Sequence, residues 1–449
     1  MELVILGAGK VGETLIENLI KEKHDVVIID KDAKKVETIV NKYDVKGIVG
    51  NGVSREILSE ASVPTADFFL ACTAHDEVNV ICSILAKSLG AKYTVARVRD
   101  PEYNKELSSV KELISLDALF NPEYRTAKEI SKVLKFPSAI NVESFADGKV
   151  SLAEFVVEGD NPMVDKTVMQ IVKEYDSRVI FAMVKRDEEI FIPLGDFVIR
   201  EGDRVSVLSK ESEITIFCKK LHMFKKPVKS VFIIGGGKIG YYLAQELLSH
   251  GIEVKIVENR EERCVELVNA IPNAEVLLGD GSDQSLLQEL KLENSDACIT
   301  LTGVDEENAM VSLYAKQLGV EKVITKLDRK SVIDMAGILG LDSIVTPYTV
   351  IANYIFKYVR SMQASSGDGV RRLYKFGDNV EALEFVVSEN FPHGEKLRDL
   401  KLYKDIIIGA IVRGTEHVLP KGDTALEIGD RVIVIVANRK ITELNQILR

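Results

Sequence analysis

Short runs of β-branched and other apolar residues alternate along this chain with longer stretches of helical periodicity, the pattern of βαβ units around a parallel sheet. Residues 4–30, VILGAGKVGETLIENLIKEKHDVVIID, read as strand, tight glycine turn, helix and strand. Further strands are expected at 45–49, 67–73 and 93–98, with counterparts in the second half. Short strands such as FVVEG (155–159) and DRVSVL (203–208), joined by Gly-Asp turns, mark a smaller kind of domain.

The plan occurs twice. ELVILGAGKVG (2–12) returns as SVFIIGGGKIG (230–240), and the register continues through GNG (50–52) and GDG (279–281), then TAHDEVN (73–79) and TGVDEEN (302–308). Farther along, IPLGDFVIREGDRVSVL (192–208) matches LPKGDTALEIGDRVIVI (419–435). The expected fold is α/β: two Rossmann-like parallel-sheet domains, each followed by a small α/β domain. Pattern changes place the first Rossmann-like domain at 1–135 and its small domain at 136–218. A basic linker follows at 219–229, then the second Rossmann-like domain at 230–361 and its small domain at 362–449. The linker lysines read as a solvated connection or, alternatively, as a patch for an anionic ligand or lipid.

Each Rossmann-like half carries the full dinucleotide arrangement: a strand, G-x-G-x-x-G opening a helix, and an acid closing the next strand. The first set is Gly7, Gly9, Gly12 and Asp30; the second is Gly235, Gly237, Gly240 and Glu258. The glycines admit a tight turn and close approach of a pyrophosphate, while the carboxylate accepts from ribose hydroxyls. An acid at both ribose positions repels a 2′-phosphate and favors NAD over NADP. It does not separate NAD from ATP or ADP. Lys10 and Lys238 make no Walker loop, because GK is not followed by Ser or Thr.

Thr73, Asp76 and Asn79, and Thr302, Asp305 and Asn308, follow strands at their carboxyl ends, where ligands gather in such sheets. Helix capping explains the aspartates equally well. Arg97 and Arg99 share one strand face and suit a pyrophosphate or an acid from a neighboring subunit, with a surface ion pair as the plain alternative. Lys326 and Asp328 replace them in the second half, so the two sites are expected to differ.

The composition narrows the chemistry. With 58 Lys+Arg against 69 Asp+Glu, the net charge of −11 argues against a nucleic-acid coat. Five scattered cysteines form no metal or disulfide framework and read as reduced cytosolic thiols. The amino terminus opens directly on the glycine motif, no apolar run has transmembrane length, and the six histidines form no metal-ligand spacing. Tyr124 and Lys128 share the Tyr-x-x-x-Lys spacing of short-chain dehydrogenases, but any helix supplies such pairs. No catalytic or metal set is expected. The residues themselves leave an NAD-dependent oxidoreductase and a nucleotide sensor for some partner as open readings.

The Gly7–Gly12 turn, Asp30, GNG, TAHDEVN, ARVRDPEY (96–103) and the LGD…EGDRV segment (194–205), twice in the same order, resemble the tandem regulator-of-potassium-conductance family of Trk potassium uptake systems. The resemblance covers essentially the whole chain. It implies a cytoplasmic subunit, peripheral on the inner face of the plasma membrane, that forms a homotetrameric ring and gates a membrane-embedded Trk-type potassium transporter. It also implies binding of NAD(H), and of ATP or ADP, at the two glycine turns, with Asp76 and Arg97 near the phosphates. Thr73, Thr302 and Asp305 complete the expected set.

Overall fold

The structure, a computed structural model, describes residues 1–100, 103, 116–136, 138–187, 189–223, 226–363, 369–376, 379–403 and 405–449. Pro101 and Glu102 of the ARVRDPEY motif, Lys225 of the basic linker and residues 364–368 of the Ser/Gly-rich connector lie outside them.

In the first half, six parallel strands lie side by side in the order Lys46–Val49, Asp25–Asp30, Glu2–Leu6, Phe68–Ala71, Tyr93–Arg97, Ala118–Phe120. Chain order reverses between Glu2–Leu6 and Phe68–Ala71, which opens a crevice at their carboxyl ends. Leu3, Ile5, Phe68 and Leu70 face one buried layer while Val4, Leu6, Phe69 and Ala71 face the other, as expected of a sheet covered on both sides. The second half repeats the order with Glu275–Leu278, Glu253–Glu258, Ser230–Ile234, Ala297–Thr300, Lys322–Lys326 and Ile344–Val345.

The small domains are five-stranded antiparallel sheets. The first carries helices Val168–Glu174 and Glu211–Lys220, and the second ends in a 3-10 turn, Leu444–Ile447. In each, the Gly-Asp turn is a buried clamp. Asp203, fully buried, accepts from Arg186 Nε at 2.7 Å and Nη2 at 2.8 Å, and from the Arg200 amide. Asp430 and Arg413 repeat the clamp. The two sheets stack on one another through Phe145, Leu152, Met183 and Leu208 from the first, and Phe376, Ala410, Ile433 and Ile435 from the second. Across this seam the buried Glu384 carboxylate accepts from the Ala146 amide and from Arg431, which also reaches Asp147.

The last helix of each Rossmann-like unit is exchanged. Helix Pro122–Lys135 buries Ala127, Ile130, Val133 and Leu134 in the core of the second unit, beside Leu243, Ala244 and Leu247. Helix Pro347–Gln363 buries Ile351, Ala352, Ile355 and Val359 in the core of the first, beside Leu15, Ile16 and Leu19. Periodicity gives each helix an apolar stripe that needs a partner, and here the partner is the other unit. Sequence boundaries at 135 and 361 leave each helix with the strands preceding it; in space each belongs with the opposite sheet. Tyr124 and Lys128 are part of this seam: Tyr124 packs edge-on against Tyr242, and Lys128 pairs with Glu246. Their dehydrogenase-like spacing thus serves packing.

Candidate functional site

At the first switch point, Gly7 adopts φ +113°, a conformation closed to other residues, and a Cβ there would lie 2.9 Å from the Thr73 amide nitrogen. Gly9 is different. Nothing lies within 4 Å of a Cβ built on it, because it faces an open crevice of about 490 Å³. Gly12 faces away, and a Cβ on it would sit 2.0 Å from the Gly7 carbonyl oxygen, so its role is close helix-to-turn packing. Of the three glycines, one shapes the turn, one leaves room for a ligand and one lets the helix approach.

Asp30 closes the neighboring strand and steadies the turn: Oδ2 accepts from the Ala8 amide at 2.7 Å and Oδ1 from the Asp32 amide at 2.9 Å. Each oxygen retains a lone pair for a ribose hydroxyl. Glu258 does the same in the second half, accepting from the Gly236 amide at 3.0 Å, but its other oxygen is held by the Arg260 amide and side chain at 3.1 Å.

Thr73 is held by an asparagine clasp. The buried Asn79 accepts from the Thr73 amide at 2.8 Å and its hydroxyl at 2.7 Å, and donates to the carbonyls of Thr73 and Arg97. Asn308 clasps Thr302 and Lys326 in the same way. These asparagines tie two adjacent strand ends together and fix the crevice floor.

The expectation that Asp76 and Asp305 line the sites is corrected. Asp76 Oδ2 accepts from the amides of Arg99 and Asp100, both at 2.8 Å, and Asp305 Oδ2 from those of Asp328 and Arg329 at 2.9 and 2.8 Å. Neither aspartate lines its crevice. Each latches the start of its helix to the loop after the next strand, because that loop presents two otherwise unpaired amides. Gly240 likewise lies behind its crevice, with a Cβ position 2.4 Å from the Gly235 oxygen.

The first crevice is lined by Gly7, Gly9, Asp30, Thr73 and Arg97, joined by Lys31, Lys35 and His75. It also holds Tyr348, delivered from the second half by the exchanged helix, with Lys10 Nζ 5.7 Å from its ring centroid. Sequence reasoning missed Tyr348, since nothing local links residue 348 to the first glycine turn. Arg97 donates to Glu123 of the other exchanged helix at 3.3 Å. Burial pushes the nearby Cys72 thiol up to about 12, so it remains protonated. The second crevice, about 380 Å³, is lined by Gly235, Gly237, Glu258 and Thr302, with Arg260, Asp280 and Glu307. Among the described residues, no group of three or more His, Cys, Asp or Glu could hold a metal ion.

Two glycine turns at two switch points, set in two copies of the same pair of domains, frame the comparison with known proteins. The TrkA-N domain model matches residues 3–122 and 231–347, and the TrkA-C domain model matches 152–222 and 382–449. The chain belongs to the TrkA family. A Trk system potassium uptake protein TrkA homolog from Archaeoglobus fulgidus is 34% identical, over 100% of both chains. TrkA homolog 1 from Methanosarcina mazei is 35% identical over 97% of each. Among solved structures, the GsuK channel bound to NAD superposes with a TM-score of 0.63 at 18% identity, covering 97% of this chain and 76% of that one. That likeness extends the tandem fold to a second kind of protein.

Proposed function

We propose that this chain is a cytoplasmic, nucleotide-binding regulatory subunit of a Trk-type potassium transporter, held at the inner face of the plasma membrane by that transporter. The first crevice carries the proposal. There the Gly9 opening, the Asp30 carboxylate and the Arg97 and lysine cations suit the ribose and phosphates of NAD(H), ATP or ADP. The names of the relatives supply the transporter, and the NAD-bound channel of like fold supplies a precedent for the ligand. No helix among the described residues is long and apolar enough to cross a membrane.

The chain assembles as a homotetrameric ring. Ile81 and Met310, equivalent positions on helices Asp76–Leu89 and Asp305–Gln317, are exposed, as are Met335, Ile338 and Leu339 nearby in the second half. Such a patch suits another copy. A nucleotide changes the ring only by binding two of its conformations unequally. Tyr348 and Arg97 provide that difference, because both connect the crevice to exchanged helices. Catalysis is not part of the proposal: the protonated Cys72 and the seam-bound Tyr124 and Lys128 offer no acid-base pair to a bound nicotinamide.

The test is potassium flux through vesicles holding the membrane transporter, with and without this chain, titrated with NAD, NADH, ADP and ATP. Nucleotide-dependent flux is expected only when the chain is present. Flux indifferent to the chain at every nucleotide concentration would refute the assignment.

A further inference from the structure

The two crevices have the same backbone and opposite electrostatics. Lys10, Lys31, Lys35, Arg97 and Arg99 line the first, against Asp30, the one carboxylate among its described lining residues. In the second, the lining carboxylates are Glu258, Asp280 and Glu307, and Arg260, the only cation among its described lining residues, is tied to Glu258.

Each reversal has a local cause. Glu307 stands where the first crevice has Val78, and Asp280 where it has Asn51. The counterpart of Lys10, Lys238, reaches Asp100 of the other half at 3.9 Å. The counterpart of Arg97, Lys326, is committed to Asp328 at 2.8 Å, and both side chains are about nine-tenths buried (12% and 11% exposed). A phosphate entering here meets helix-end amides but also an excess of carboxylates. Each added phosphate charge then lowers affinity instead of raising it. The adenosine features remain: Glu258 sits at the ribose position, and Gly237 is as open as Gly9.

We propose that the second crevice is a nucleoside site: it takes an adenosyl ligand whose 5′ substituent carries no phosphate and is neutral or cationic, while the first takes phosphorylated ligands. The proposal rests on the nucleotide-binding function above. Carboxylates that repel a diphosphate attract an ammonium or sulfonium group, so the second pocket senses a different metabolite class from the first.

The test uses the full chain in equilibrium binding with ADP, NAD, adenosine and S-adenosylmethionine. Gly9→Asp and Gly237→Asp block one crevice each, and both place their side chains in open space, so thermal melts matching the parent are expected. ADP and NAD should fill one site per chain, be lost in Gly9→Asp and survive in Gly237→Asp. Adenosine or S-adenosylmethionine should bind Gly9→Asp and weaken at least tenfold in Gly237→Asp. Equal affinity for these two marks a neutral preference; tighter S-adenosylmethionine marks a cationic one. Neutralizing the second crevice with Glu307→Gln and Asp280→Asn, in the Gly9→Asp background, should raise ADP affinity at least tenfold. ADP or NAD filling both sites within threefold of one another would overturn the proposal while leaving the regulatory function intact. So would failure of both phosphate-free ligands to bind Gly9→Asp at millimolar concentration. Loss of all nucleotide binding by the folded parent would instead strike the function itself.

Discussion

Glu143 links pH to the joint between an exchanged helix and the first small domain. It lies on strand Asn141–Phe145, and its side chain is 19% exposed. Burial is the main cause that lifts its carboxyl to about 7, and the adjacent Glu129 carboxylate on helix Pro122–Lys135 adds to it. Lys132 from the same helix and Arg372 from the second small domain act in the opposite direction. Because the folded pKa exceeds the ordinary 4.5, the folded chain holds this proton through a window in which the unfolded chain has released it. Stability from this group is therefore complete below about pH 4.5 and is lost as pH rises through 7.

Between pH 5 and 8 that linkage amounts to about 2–3 kcal/mol. Other carboxylates titrate over part of the same range, so the informative quantity is a difference between variants. Glu143→Gln mimics the protonated acid and carries no titration. In urea denaturation of the parent and Glu143→Gln, the variant should gain about 2–3 kcal/mol relative to the parent on moving from pH 5 to 8. A stability difference that stays constant across that range would refute the raised carboxyl.

Three further outcomes follow from the geometry. Gly12→Ala should lower the melting temperature through an overpacking cost of about 1–3 kcal/mol or more, because its Cβ meets the Gly7 oxygen, whereas Gly9→Asp should weaken ADP binding over a hundredfold with the melt unchanged. Two like charges about 5 Å apart at an effective dielectric of about 20 repel by about 3 kcal/mol, which sets that scale. Arg186→Ala should cost about 3–5 kcal/mol in thermal or urea melts, since it strands the fully buried Asp203. Asp30→Ala should reduce nucleotide-dependent potassium flux more than Glu258→Ala, with assembly preserved in both; equal losses would remove the asymmetry between crevices.

What the sequence revealed is what short-range chemistry determines. A glycine turn, its strand and its ribose acid are contiguous, and their recurrence in register made both crevices legible. The asymmetry between Arg97 with Arg99 and Lys326 with Asp328 was also visible, because residues two apart on a strand share a face, and that is why Lys326 and Asp328 pair. Asp76 was not legible: capping and ligand contact both suit an acid at a helix start, and its partners are amides of a loop 23 and 24 residues on. The exchanged helices were hidden for a related reason. An apolar stripe at Ile351, Ile355 and Val359 demands burial without naming the surface that provides it, and Tyr348 entered the first crevice as a consequence of that choice.

The exchange also explains how a small ligand can act on a large molecule. Arg97 sits at the floor of the first crevice with one bond, at 3.3 Å, to Glu123, and its Nε and the second Glu123 oxygen are buried without a hydrogen-bond partner. The planar guanidinium is therefore underused in this state, and a diphosphate offers it the two-pronged partner that Glu123 does not. A phosphate that draws Arg97 away releases the first turn of helix Pro122–Lys135, whose far end is buried in the second unit and meets the first small domain at Glu143. Tyr348, on the other exchanged helix, lines the same crevice. Under the proposed function, occupancy of the first crevice would change contacts on both helices that join the halves, and the free energy for gating would be the difference between what Arg97 gains from phosphate and what it gives up with Glu123.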